Sequence, residues 1–295
     1  MISVLNLGQC DYATALGLQQ TLVELRKQQR VGNVLLFVEH PPVITLGRNA
    51  RESNIVVSRE LLAARGVEIH EINRGGDVTF HGPGQLVAYP IFDLRSFQPK
   101  LGVIEYVRCL EEVLMRICAQ YTIETQRIAG MTGVWTFPTA PPHLNPRQSG
   151  RDYVPSGEEL GETTSREKYS ERKIAAIGVH ISRGVTSHGF ALNVTTPLHF
   201  FDLIVPCGLT KPVTSIEFET GLRPTLDEVM TIASRTFGEL FHSQMLWLDS
   251  IHDLIPAESA SAPAPADTPH DAPSDTPARA PETERRIAGD DTHFA

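Results

Sequence analysis

No apolar run in this chain approaches the roughly 18–20 residues needed to cross a bilayer. The segment Met1 to Cys10 has neither a basic start nor an apolar core of the kind that marks an export signal. A cytoplasmic protein that does not meet the membrane is expected. Cysteine is scarce: Cys10, Cys109, Cys118 and Cys207 show no C-x-x-C spacing and no nearby paired histidines, which excludes the usual zinc sites. In a reducing compartment these four are free thiols, and the question is which of them reacts. A basic excess is also missing. The formal charge is −9, and the stretch from Glu258 onward carries eight acidic residues against Arg279, Arg285 and Arg286. Most of the acidity is thus terminal, and a nucleic-acid partner is excluded for want of a basic face. There is no internal repeat. No G-K-[ST] follows a glycine loop, which excludes a P-loop.

What is present suits a globular chain of 295 residues, 41% hydrophobic and 21% charged. Asp11 is placed to cap a helix whose Ala15, Leu18, Leu22 and Leu25 share one face. Val34 to Val38 reads as a buried strand stopped by Pro41-Pro42. Val103, Val107, Leu110, Leu114 and Ile117 recur at steps of four and three, a core-facing helix. Thr225 and Glu228 form a capping box after Pro224. Leu86–Tyr89, Lys173–Val179 and Gly189–Val194 read as further strands. Strands and helices mixed without regular βαβ alternation predict an α+β domain, a mixed sheet with flanking helices, over residues 1–255. Within it, 139–172 is rich in proline and charge and is expected to be a flexible insertion. Residues 256–295, built of Ala, Pro, Asp, Thr and Ser, are expected to form a disordered acidic tail.

Three stretches carry chemistry. The first is Arg74-Gly75-Gly76-Asp77-Val78-Thr79-Phe80-His81, running on to Gln85, where glycine permits close backbone approach to a ligand and Arg74 and His81 add donors. Taken alone, it also fits a plain hairpin loop. The second joins Lys173 to Ala175, Ala176, Ile177 and Gly178, then Gly189, Phe190 and Ala191, small residues that leave a groove beside a strand. Lysine at the start of an apolar strand is ordinarily a solvated strand end. The third is Pro206-Cys207-Gly208, a turn in which a thiol can be accessible, whereas Cys109 and Cys118 sit in an amphipathic helix as small hydrophobes.

These blocks, with Glu39-His40-Pro41-Pro42-Val43-Ile44-Thr45-Leu46-Gly47 and Gly133-Val134-Trp135, occur in an order that resembles the lipoyl(octanoyl) transferase family over roughly Gln9 to Leu240. The resemblance implies the fold of the biotin and lipoate protein ligase catalytic domain. It also implies transfer of an octanoyl group from acyl carrier protein to a lysine of lipoyl domains. The acceptors it implies are 2-oxoacid dehydrogenase complexes and the glycine cleavage H protein. By match, Cys207 carries the acyl thioester and Lys173 tunes it, while Arg74 to His81, Ala176-Ile177-Gly178 and Gly189-Phe190-Ala191 hold the acyl group. Neither cofactor nor metal is implied. The insertion before Lys173 and the acidic tail depart from the family pattern. Two other readings compete: an ATP-dependent lipoate or biotin ligase on the same fold, and a non-catalytic acyl- or lipoyl-domain-binding module.

Overall fold

The computed structural model describes residues 1–137, 171–205 and 211–255, and residues 291–294 as a backbone strand. Cys207 lies outside the described residues. So do the insertion, apart from Glu171 and Arg172, and the tail, apart from that strand.

The strand β2 (Asn33–Glu39) shows how the sequence builds the main sheet. Its apolar run is buried on both faces, and the period of two sorts the residues between them. Leu35 and Phe37 enter one core, and Val34, Leu36 and Val38 the other. Around it run β11 (Met245–Trp247), β1 (Ile2–Gln9), β2, β6 (Gln85–Ile91), β10 (Val185–Asn193), β9 (Lys173–Ser182), β8 (Met131–Thr136) and β7 (Thr125–Ile128), in that spatial order. The β11–β1–β2 pairs are parallel, and the remainder is antiparallel. Each of the four strands expected from sequence is present and runs longer than expected, although β10 ends at Asn193 rather than Val194.

One face is covered by α3 (Val103–Gln120) and α5 (Leu226–Leu240), whose apolar stripes pack on Leu35, Phe37, Ala88 and Phe190. The other carries α1 (Tyr12–Lys27), where Asp11 accepts the Thr14 N–H at 2.8 Å as its N-cap. The capping box at Thr225 and Glu228 is formed at the start of α5, after the short helix α4 (Ile216–Thr220). A second sheet was not expected: β3 (Val43–Leu46) lies between β4 (Glu68–Glu71) and β5 (Val78–His81). It buries Ile44, Leu46, Val78 and Phe80 against Leu62 of α2 (Arg59–Ala64) and against Phe201 and Leu203. The glycine-rich stretch is therefore a loop, Arg74 to Asp77, that leads into a strand. The last strand, β12 (Asp291–Phe294), pairs antiparallel with Val179 to Ser182 of β9. No element is expected there from composition, because the pairing is made by main chain.

Candidate active site

A cavity of about 610 Å³ opens between the two sheets. Of the residues picked out in the sequence, Lys173, Arg74, Gly76, Asp77, Val78, Thr79 and His81 line it, with Ala176, Ile177, Gly178, Gly189, Phe190 and Ala191. Three do not. Phe80 points from β5 into the small-sheet core, stacked on Phe200 at 4.8 Å. Gly75 instead ties its loop to the main sheet, its N–H donating to the Val179 carbonyl at 3.0 Å. Cys207 is outside the described residues.

The loop before β5 is held by its own charged groups. Arg74 is buried, and its guanidinium donates to the Thr45 carbonyl (2.8 Å), the Asp77 carbonyl (2.7 Å) and the Gly75 carbonyl (2.9 Å). Those three bonds commit much of its donor capacity to shaping the loop. Its stem lies so close to β9 that a Cβ on Gly178 would sit 3.0 Å from Arg74 Cδ and from the Gly75 carbonyl oxygen. Glycine is needed there for approach, and the groove expected beside the strand is partly filled by Arg74. The Asp77 carboxylate accepts from the Val78 and Arg51 N–H groups and from the Asn54 amide.

Lys173 begins β9 at the cavity wall. Its N–H donates to the Pro212 carbonyl and its carbonyl accepts from the Thr214 N–H, both at 2.9 Å. The start of β9 is thus stitched to the segment that continues from Cys207. Nζ lies 4.7 Å from the Trp135 ring centroid, a cation–π placement. Gly133, at φ +123°, sits beside the side chain, and a Cβ there would meet Lys173 Cε at 3.4 Å. Flanking this, Arg172 and Glu219 form a bidentate pair at 2.8 and 2.9 Å with both side chains under 10% exposed.

Several cavity residues are not among the site candidates drawn from the sequence. Tyr12 and Tyr89 come from α1 and β6, and the turn Ala129 to Thr132 comes from the β7–β8 hairpin. His188, at φ 55°, directs its Nε2–H to the Asn73 side-chain oxygen at 2.8 Å. Its Nδ1 is buried without a partner among the described residues. Burial, then the Arg74 charge and His180, hold the His188 ring down to about 3. Burial, then His40, also holds His81 to about 3, although its bond to Gln85 works the other way. Both are neutral at physiological pH. The described cysteines are poor nucleophiles: burial, and next Asp11, push Cys10 up, burial and next Glu112 push Cys109 up, and burial raises Cys118 to about 12. Among the described residues no group of histidine, cysteine or carboxylate side chains has the arrangement of a metal site, and no helix is long and apolar enough to cross a membrane.

A mixed α+β sheet that carries such a cavity, with small residues on one wall and a lysine at its edge, defines the class as an α+β protein with a ligand-sized cleft between its sheets. Comparison with known proteins makes this specific. Residues 11–238 match the family described as the lipoyl protein ligase A/B catalytic domain. An octanoyltransferase of Koribacter versatilis is 54% identical over 295 residues, covering 100% of both chains. One of Acidobacterium capsulatum is 52% identical over 264 residues, covering 87% of this chain and 96% of that one. In solved structures, a bi-partite lipoate protein ligase of Thermoplasma acidophilum, studied with its E2 lipoyl domain, shares the fold with a TM-score of 0.58. That likeness covers 85% of this chain and 87% of the other at 16% identity. The chain belongs to the lipoyl protein ligase A/B catalytic domain family, and it is an acyltransferase.

Proposed function

We propose that this enzyme moves an octanoyl group from acyl carrier protein to a lysine of lipoyl domains, in the cytoplasm, through a thioester on Cys207. The acceptors are the lipoyl domains of 2-oxoacid dehydrogenase complexes and the glycine cleavage H protein. The observation that carries the reading is the backbone stitching of Lys173, at the cavity wall, to the segment continuing from Cys207. The inert surroundings of the other three cysteines, and relatives named octanoyltransferase at 54% and 52% identity, support it.

In the first half-reaction the Cys207 thiolate attacks the donor thioester, its C–S bond breaks, and the carrier thiol leaves. One thioester replaces another at little cost in free energy. Only the thiolate is competent, and with an ordinary pKa of about 8.5 only a few per cent is ionised near neutrality; cationic Lys173 raises that fraction. In the second half-reaction the acceptor lysine must attack as neutral amine. Starting from a pKa near 10.4, this costs about 3.4 units, or ~4.6 kcal/mol, at pH 7. Lys173, having given its proton to the departing carrier thiolate in the first half-reaction, takes one from the neutral amine as the C–N bond forms and the Cys207 thiolate departs. His81 is too weak a base for this, since its ring is held to about 3. Thioester to amide is downhill, so no ATP is consumed.

Incubation with octanoyl-acyl carrier protein is expected to add one hydroxylamine-labile octanoyl mass to the intact chain. Persistence of the adduct in Cys207→Ala overturns the nucleophile. Transfer from free octanoate that requires ATP and resists thiol alkylation favours the ligase reading instead.

A further inference from the structure

His81 is a histidine ring of the cavity whose tautomer can be read from its neighbours. Gln85 opens β6 and Asn193 closes β10, and the two are register partners across the sheet. Asn193 Nδ2 donates to the Thr214 carbonyl at 2.9 Å, which an oxygen at that position could not do. Its Oδ1 is therefore the atom that accepts from Gln85 Nε2, also at 2.9 Å. Gln85 Nε2 donates in addition to the Phe80 carbonyl at 3.3 Å, so two backbone carbonyls pin the two amides independently. Gln85 Oε1 is then an acceptor, and His81 Nδ1, 2.8 Å away, must carry the proton. All three side chains are buried, with Gln85 2% exposed. The ring plane is fixed by stacking on Tyr12, at an interplanar angle of 7°.

The other ring nitrogen is left as a lone pair with no donor among the described residues, on a side chain that lines the cavity. An alkyl chain offers it no hydrogen, and neither does a thioester carbonyl or sulfur. The attacking amine does. We propose that Gln85 and Asn193 are positioning residues that lock His81 as its Nδ1–H tautomer, so that Nε2 accepts an N–H bond from the acceptor lysine and aims its lone pair at the acyl carbon. The relay also reaches the Lys173 side of the site: Asn193 hangs on the carbonyl of Thr214, whose own N–H bonds to Lys173, and Gln85, Asn193 and Lys173 border one small void. The partner assigned to Nε2 rests on the acyl-enzyme reading above; the tautomer does not.

The titratable or charged groups facing the ring are Tyr12, His40, Arg74 and His188. In the full chain labelled with ¹⁵N-histidine, a long-range ¹H–¹⁵N spectrum, assigned by signal loss in His81→Gln, is expected to show pyridine-type Nε2 and pyrrole-type Nδ1, both unchanged between about pH 5 and about pH 8. Protonated Nε2, or an imidazolium forming in that range, overturns the inference whether or not any variant folds. Kinetics supply the second arm. With preformed octanoyl-enzyme and a lipoyl domain, Gln85→Met is expected to slow aminolysis about tenfold, the size of one lost hydrogen bond, while acylation by octanoyl-acyl carrier protein stays within about twofold. Equal slowing of both steps, as from general loosening or from contact with the donor's own amides, refutes the assigned partner. A wild-type chain that never forms an acyl adduct sinks the thioester reading but leaves the tautomer measurement standing.

Discussion

Lys173 has nothing in its chain neighbours to set it apart from other strand-end lysines. Its surroundings do, since Trp135 and Gly133 of β8 and the Pro212–Thr214 segment converge on it from two parts of the chain. If it stabilises the Cys207 thiolate, Lys173→Ala raises the thiol pKa. Each unit of that rise lowers the alkylation rate at pH 7 about tenfold. Iodoacetamide kinetics with Cys207 followed by mass spectrometry checks this, and an unchanged rate removes the lysine from the mechanism. Arg74 teaches the opposite lesson. In the sequence it stands out as a donor beside glycines. In the fold its guanidinium braces the loop on the Thr45, Gly75 and Asp77 carbonyls, which no local pattern could disclose.

At the scale of elements, local chemistry and burial act together. The capping box of α5 is a sequence feature that the fold retains, and its removal is measurable: Thr225→Ala is expected to cost about 1 kcal/mol in urea unfolding. Leu110 of α3 has no exposed surface and packs within the main core. Leu110→Ala is expected to cost about 2–5 kcal/mol, with an unchanged dependence on denaturant. A loss under 1 kcal/mol for Leu110→Ala, by the same scale, means that the core closes around the vacancy. The elements legible from sequence were those with long periodic or unbroken apolar runs, such as β2 and α3. The small sheet was not. Each of its strands is only four residues long, and a run that short has no resolvable period.

For the whole molecule, two neutral buried histidines couple stability to pH. His81 and His188 are held at about 3 in the fold, whereas an unfolded histidine titrates near 6.5. Between these values the unfolded chain binds more protons, so stability rises with pH. Their contribution is complete above about 6.5 and is lost as the pH falls toward about 3. A series of melting curves is expected to show Tm declining as pH drops below about 6.5, with a shallower decline in His188→Gln. A level Tm down to about pH 5 excludes this account.

The sequence by itself determined the α+β class, the principal strands and helices, and the blocks that mark the family. Those properties depend on short-range periodicity, on capping chemistry and on residue order, all of which are written along one dimension. Most of the candidate site was legible for the same reason, because its walls are contiguous stretches of glycine and small residues. Only tertiary structure decided that Phe80 leaves the cavity, that Tyr12 and His188 enter it, and which nitrogen of His81 carries the proton. Each of those outcomes is set by partners far away in the chain, His188 with Gln19 and Asn73, and Gln85 with Asn193. A hydrogen bond across such a separation has no signature in local sequence; it exists only once the sheets bring its two ends within reach.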